Sequence, residues 1–516
     1  MYQSLLTRRY LTSKIMPLLS LVAVMLSTTT ILVTWSVMGG FLETLKESGR
    51  TLIGDVAISW PNVGFAHYED LIARLEAHEA VAAAAPLIET FGMVKLPDDQ
   101  LQAVSIRGID GPSFDRVTGF AGTLYWKPID RPTPKDRERL DPRLPEKTDA
   151  DFLRQVQRNG LNLVRPELGL DEPAVVPGIE LTGLNQRQSW GGYIPMATTR
   201  PLADGGIASE NIFMPRNGWL TMTLLSLDSN GRFAKAVTRR FPVANEFQSG
   251  IFDADSQIVL VELSALQSML NMARADRVEP AGPFDTEVDP ETGEVVPAKA
   301  RVVGTDPARV TSVLVRGAAG VESDRLAQVA EGVYRAFALA HRDEVPNGDV
   351  ILIRTWQQKN STLIAAVEKE TALVLFVFGI VCFTNVFLVL SIFWSMVSEK
   401  TKDIGILRAL GGSMLGIAWL WLRYGLVIGS VGAAAGVALA AVIVHNINPI
   451  HDWLGGAFGI VVWDPRVYYF IEVPNKVDWW HAGVVFIAGL GTCVLGAAIP
   501  AMRAATMDPV KALRFE

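Results

Sequence analysis

Few residues in this chain are of a kind that does chemistry, and they are scattered. The six histidines, His67, His78, His341, His445, His451 and His481, form no H-E-x-x-H pair and no Cys/His cluster, so no metal site is expected. Cys382 and Cys493 both fall inside long apolar runs. That excludes a disulfide framework and leaves no lipid-attachment cysteine near the N-terminus. "DTEVDPETGE" (285–294) spaces its acids loosely like a calcium loop, yet it lacks the glycine at the sixth position and the closing bidentate glutamate; a solvated acidic loop is the expectation. No G-x-x-x-x-G-K-[ST] occurs, and "RGAAGVES" (316–323) has no lysine to reach a phosphate. The chain is therefore not expected to hydrolyse a nucleotide itself. A net charge of −7 without a basic stripe argues against nucleic acid as a partner.

What remains is a charged peptide, "SEKTKDIGILRALGGS" (398–413), set between two of the longest apolar runs. Ile404, Leu407 and Leu410 lie three apart with Lys400 one turn upstream, while Glu399, Lys402 and Asp403 supply charge. Gly405 weakens such a helix by roughly 1 kcal/mol, and Gly411-Gly412 is a stop signal. The residues alone leave two readings open: an interfacial helix that reconnects two spans, or a docking surface for a cytoplasmic partner.

The elements around this peptide follow from composition. A chain of 516 residues with 49% hydrophobic and 20% charged residues and a mean hydropathy of +0.25 is too apolar for a soluble enzyme of this size. Four stretches, 16–40, 371–397, 417–445 and 481–500, are long enough to cross a hydrocarbon core, which takes about 20 helical residues. Arg8, Arg9 and Lys14, Lys400, Lys402 and Arg408, and Arg503, Lys511 and Arg514 flank them on one side, against Arg466 and Lys476 in the loop 446–480. The positive-inside rule then puts the N-terminus (1–15), the peptide 398–416 and the tail 501–516 in the cytoplasm, and the segment 41–370 outside. Trp394, Trp419 and Trp421 mark the inner interface, and Trp35, Trp479 and Trp480 the outer one. The first apolar run is too long for a cleaved signal, and no A-x-A-like site follows it.

The fold class expected is an α-helical membrane protein with four transmembrane helices and a large outer α+β domain of two subdomains between helices 1 and 2. Strands are predicted near 51–60, 88–96 and 101–109, a helix over 68–81, and a second strand-rich unit over 218–263. In the latter, "LSLDSNGRF" (225–233) reads as a hairpin. An amphipathic helix follows over 324–341. The segments 126–159 and 279–300, rich in proline, charge and turn residues, read as surface insertions. "TWQQKNSTLIAAVEKE" (355–370) carries helix-compatible residues straight into the second span, predicting a stalk-like helix of some 40 residues. "GGFLETLKESGRTL" (39–52) is its counterpart after the first span, with the glycine pair as a hinge candidate. Gly425, Gly429, Gly432 and Gly436 line the third span in G-x-x-x-G spacing, for packing within the chain or for a dimer seam.

"EKTKDIGILRALGGS" resembles the coupling-helix segment of FtsX-like, MacB-type ABC transporter permeases, and "PAMRAATMDPVKALRFE" (500–516) resembles their C-terminal signature. "TWQQKNSTLIAAVEKETALVLFVFGIVCFTNVF" (355–387), "FPVANEFQSGIFDADSQIVLVELSALQSML" (241–270) and "WDPRVYYFIEVP" (463–474) are similar to the lipoprotein-releasing permeases of the LolC/LolE type. "LSLVAVMLSTTTILVTWSVMGGF" (19–41) is similar to that family's first span, with Gly39 where the family has asparagine.

The resemblance implies a MacB-like periplasmic domain in the bacterial inner membrane and two permease subunits, alike or different, over two LolD-like ATPase subunits. ATP and magnesium would sit on that ATPase, with no cofactor and no catalytic residue in this chain. It implies extraction of lipoproteins from the membrane for a periplasmic carrier. Glu399, Lys400, Asp403, Ile404 and Leu407 become candidates for ATPase contact. Asn385 matches an asparagine of the family's second span, for a helix–helix hydrogen bond or for substrate. Asp228, Asn230, Gly231 and Arg232 occupy the place of the family's carrier-binding hairpin, without a proline-rich tip. A MacB-type exporter of another periplasmic or lipidic substrate and a signalling permease that activates a cell-wall enzyme are the alternatives.

Overall fold

The computed structural model describes residues 15–50, 52–128, 150–168, 172–187, 192–201, 207–227, 233–279, 286–288, 295–297, 301–459, 473 and 476–513. It falls into two compact units, one containing the long helices and one covering Lys46–Ser361.

The first unit holds four helices long and apolar enough to cross a membrane, within Ile15–Arg50, Ser361–Glu399, Met414–His445 and Trp479–Thr506. Close approach is set by the glycines of the third. A Cβ on Gly425 would meet that of Ala497 at 2.9 Å, and one on Gly436 would meet the carbonyl oxygen of Met25 at 2.7 Å. These glycines therefore pack the third helix against the fourth and the first within the chain. Thr29 adds a hydrogen bond across that contact, donating to the Gly436 carbonyl at 3.1 Å. The first helix runs through the hinge candidate Gly39-Gly40 without a break. The second helix is continuous over 39 residues, about 58 Å at 1.5 Å per residue, close to the expected helix length.

The second unit is built on a nine-stranded mixed sheet. Its strands are β1 (Val56–Ser59), β2 (Val81–Lys95), β3 (Leu101–Ile109), β4 (Val175–Pro177), β5 (Trp219–Leu227), β6 (Phe233–Pro242), β7 (Ile258–Glu262), β8 (Ser312–Gly317) and β9 (Leu352–Thr355). The order is β9-β1-β8-β2-β3-β7-β4, with β5 on the far half of β2 and β6 on β5. All described pairings are antiparallel except β3 with β7. Alternation with period two sorts side chains to two cores. Val56, Ile58, Ile88, Ile106, Val313 and Val259 face the helices α1 (Tyr68–Glu76) and α4 (Ser323–Ala340), while Ala57, Leu87, Ile109, Leu314 and Leu260 face α2 (Gly111–Thr118).

Two expectations need correction. The strands of 219–262 do not form a sheet of their own, because β5 pairs with Gly92–Lys95 of β2 and β7 with β3. What stands apart is a smaller core of Tyr125, Trp126, Leu153, Val156, Ile179, Tyr193 and Phe213. The segment 126–159 is not all surface loop: Trp126 is buried, and α3 (Ala150–Asn162) buries Leu153 and Val156. Within 279–300, Thr286–Val288 pairs with Val295–Pro297, and Ala275–Glu279 pairs with Arg301–Asp306. Most of the acidic stretch 285–294 lies outside the described residues.

Glu246 anchors the smaller core to the sheet. It is fully buried and accepts hydrogen bonds from Trp126 Nε1 and Asn185 Nδ2, both at 2.8 Å. Burial pushes its carboxyl up to about 7 despite these donors. The folded chain thus holds a proton that the unfolded chain releases near the ordinary glutamate value, about 4.3. Stability from this group is present below that value and is lost as pH rises through about 7. The thermal midpoint of the purified chain should fall over that window, and Glu246→Gln should flatten the fall.

Candidate functional site

The charged peptide folds as a short helix, Thr401–Ala409, between the second and third long helices. Lys400 precedes it and pairs with Asp403 at 3.0 Å. Thr401 Oγ1 donates back to the Ser398 carbonyl at 2.8 Å, turning the chain out of the second helix. At the far end Gly411 adopts φ 89°, a left-handed conformation that suits glycine, and Ser413 Oγ accepts from the Gly416 amide to start the third helix. One side of the short helix is closed. Ile404 is 3% exposed in a cluster with Val397, Ile417, Trp421, Ala501 and Ala504, and the helix Pro509–Leu513 packs beside it. Arg503 stacks its guanidinium on the Trp394 ring at 3.9 Å, joining the fourth and second helices nearby.

The other side is open. Lys402 is exposed, Ile406 is 49% and Leu410 80% exposed, and Glu399 is exposed just ahead of them. Asp403, Lys400 and Leu407 lie at the margin, half-buried. Of the five residues expected to meet a partner, Ile404 therefore points the other way, into its own chain. Spacing of three puts Ile404, Leu407 and Leu410 in one series on paper, but packing among Val397, Ile417, Trp421, Ala501 and Ala504 covers Ile404 and leaves Leu410 exposed. Ile406 is the exposed residue that sequence reading passed over.

Asn385 is half-buried on the second helix and lines a small cavity with Ser27, Thr28, Cys382 and Thr492, so polar side chains of the first, second and fourth helices meet there. Asp228, Asn230, Gly231 and Arg232 lie outside the described residues; the arms of their hairpin pair as expected, with Leu225 opposite Ala236.

The large domain has its own mechanical node. β1 is hydrogen-bonded to β8 on one edge and to β9 on the other, with Val56 opposite Thr355. The Trp356 amide donates to the Asp55 carbonyl at 3.1 Å. Thr355 caps the following turn with a reciprocal Gln358 contact, a capping box, and Trp356 is buried. Glu89 on β2 ties both connections down: its carboxylate accepts from Arg107 Nη2 at 2.9 Å and from Lys359 Nζ at 3.0 Å, and Arg107 Nη1 donates to the Leu52 carbonyl. Burial alone would raise the Glu89 carboxyl, but Arg107 and Lys359 overcome it and hold it at about 2. No local spacing announces this triad. The histidines are likewise less scattered than the sequence implies, because His67 and His341 stack at 4.2 Å.

Residues 375–509 match the model of the FtsX-like permease C-terminal family, a span that takes in the second long helix from residue 375 onward, the third and fourth long helices and the short helix. This part of the chain is an FtsX-like permease domain. The chain is similar to the lipoprotein-releasing system transmembrane protein LolC of Neisseria meningitidis, 27% identical over 33% of this chain and 40% of that one. It is similar to LolE of the same system in Haemophilus influenzae, 28% identical over 27% of this chain and 32% of that one. It is also similar to the macrolide export ATP-binding/permease protein MacB of Hyphomonas neptunium, 28% identical over 38% of this chain and 26% of that one. The chain thus spans 40% or less of the length of these relatives.

Two stability measurements test the placements. Ile404→Ala should cost about 2–5 kcal/mol as a buried truncation, while Ile406→Ala should stay within about 0.5 kcal/mol, read from denaturation of the chain in detergent. Glu89→Gln leaves Arg107 buried without its charge partner and should cost about 3 kcal/mol in the same assay.

Proposed function

We propose that this chain is the permease subunit of an ABC transporter that extracts lipoproteins from the outer leaflet of the inner membrane and releases them to a periplasmic carrier. ATP hydrolysis takes place on a separate ATPase, two copies of which bind ATP and magnesium beneath a pair of permease subunits. The observation that carries this reading is the likeness to LolC and LolE. In it the termini are cytoplasmic and the large domain is periplasmic, as the distribution of Lys and Arg directs.

The geometry supplies a route for the work. The open ridge of Lys402, Ile406 and Leu410, with Glu399 and Asp403 beside it, meets the ATPase. The closed side, held by Ile404 and the helix Pro509–Leu513, passes any displacement to the helix bundle. The second long helix has little of its apolar surface covered by the rest of the chain, with Leu373, Phe376, Phe383 and Phe387 more than half exposed. Lipid, a second permease subunit and the acyl chains of a substrate can all lie against such a surface. Withdrawing an acyl chain from lipid costs about 0.8 kcal/mol per CH₂, so extraction needs both ATP and an apolar receiver. The large domain offers an apolar face of its own, where Phe91, Met93, Leu101 and Leu225 stand exposed on the same side of β2, β3 and β5.

The likeness to MacB favours one alternative, an exporter of another periplasmic or lipidic substrate by the same lever action. Reconstitution with the ATPase and a triacylated lipoprotein separates the two. ATP-dependent transfer to a carrier is expected, and Ile406→Asp should reduce it several-fold without lowering insertion of the chain. ATPase activity that the permease stimulates, with no lipoprotein released, would reject lipoprotein release in favour of another substrate.

A further inference from the structure

The large domain contains a constellation that the transport reading does not use. His67 immediately precedes α1, and His341 and Glu344 follow the end of α4; the two helices pack against one another on the same face of the sheet. The imidazoles of His67 and His341 stack at 4.2 Å with 14° between their planes. The Glu344 carboxylate engages His67 Nε2. Each of the three residues offers one ligand atom within 4.8 Å of the other two. We propose that His67, His341 and Glu344 form a binding site for a divalent metal ion of the zinc class.

Ligand chemistry selects the class. Two imidazole nitrogens and one carboxylate are the donors of open three-ligand zinc sites, whereas calcium and magnesium take oxygen. Bonds of about 2.0–2.1 Å in a tetrahedron place ligands roughly 3.3 Å apart. Separations within 4.8 Å close to that when the two rings turn out of their parallel stack so that one nitrogen of each converges on the ion, a movement that partial exposure allows: the side chains are 27% exposed at His67, 23% at His341 and 63% at Glu344. The fourth position is open to water.

The surroundings are built to hold these rings. Asp70 Oδ2 lies 2.9 Å from His341 Nε2 and accepts from Arg74 Nε at 2.8 Å, the carboxylate–imidazole pairing that orients metal-binding histidines. The buried ring of Phe337 lies 4.9 Å from the His341 ring. The loop after α4 is pinned by Tyr334, whose hydroxyl donates to the Pro346 carbonyl at 2.9 Å, and by the Glu344 amide, which donates to the His341 carbonyl. His67 has φ 58°, a left-handed conformation uncommon outside glycine and enriched at functional positions. A bound ion would staple the segment after β1 to the segment before β9.

The test uses the full chain, purified in detergent without a histidine tag and stripped with chelator. Zn²⁺ added alone should be retained at one ion per chain through gel filtration and should raise the thermal midpoint. Co²⁺ in its place should give the intense visible bands of a tetrahedral site. His341→Ala and Glu344→Gln should abolish both signals, as should His67→Asn, which keeps a residue that tolerates the left-handed backbone. Asp70→Asn should weaken binding by roughly 10–100-fold. In chelator each variant should keep the wild-type far-ultraviolet circular dichroism, so that loss of metal is not loss of fold. Wild-type chain that retains no more zinc than the His67→Asn, His341→Ala and Glu344→Gln variants, or variants that bind as tightly as wild type, would overturn the proposal.

Discussion

The large domain begins and ends on one strand pair. β1 follows the first long helix in sequence and β9 precedes the second, and antiparallel pairing sets Val56 opposite Thr355. Under the proposed function, a displacement of either helix would enter the sheet through this strand pair. Glu89 makes the place rigid, because one carboxylate holds the Lys359 ammonium just before the second helix and the Arg107 guanidinium that reaches the Leu52 carbonyl just after the first. Removing one partner leaves buried charge unpaired, so the clasp resists opening more strongly than its few strand hydrogen bonds alone would.

A lever needs a stiff arm at each end. On the bundle side the glycines of the third helix let backbones touch, and Ile404 and the Pro509–Leu513 helix bind the short charged helix to that bundle. Its exposed side, Lys402, Ile406 and Leu410, is the surface that the proposed function gives to a partner. The second helix is continuous over 39 residues and follows the capped turn at Thr355 in sequence.

Much of this was legible in the sequence, for reasons particular to each element. The four spans follow from apolar length, and the sheet's inner strands from alternation such as that of "VSIRGI" (104–109), where Val104 and Ile106 face one core and Ile109 the other. The short helix was visible through its charge between two spans, but which side it shows to solvent was not, since Ala501 and Ala504, which share the Ile404 cluster, lie far along the chain. The helix Ala150–Asn162 was hidden behind a proline-rich stretch that reads as loop throughout. Pairings made by folding alone left no local signature: Glu89 and Lys359 are 270 residues apart, and His67 and Glu344 are 277.

The account rests on the claim that β1 and β9 stay joined during the proposed transport cycle. A disulfide between Ser59→Cys and Leu352→Cys, which face each other across the two strands, locks that pair. Turnover of the reconstituted transporter is then compared in oxidised and reduced states. The account predicts equal ATP-driven turnover in both. Turnover lost on oxidation and restored by a reductant would mean that the strands must part during the cycle, and would contradict it.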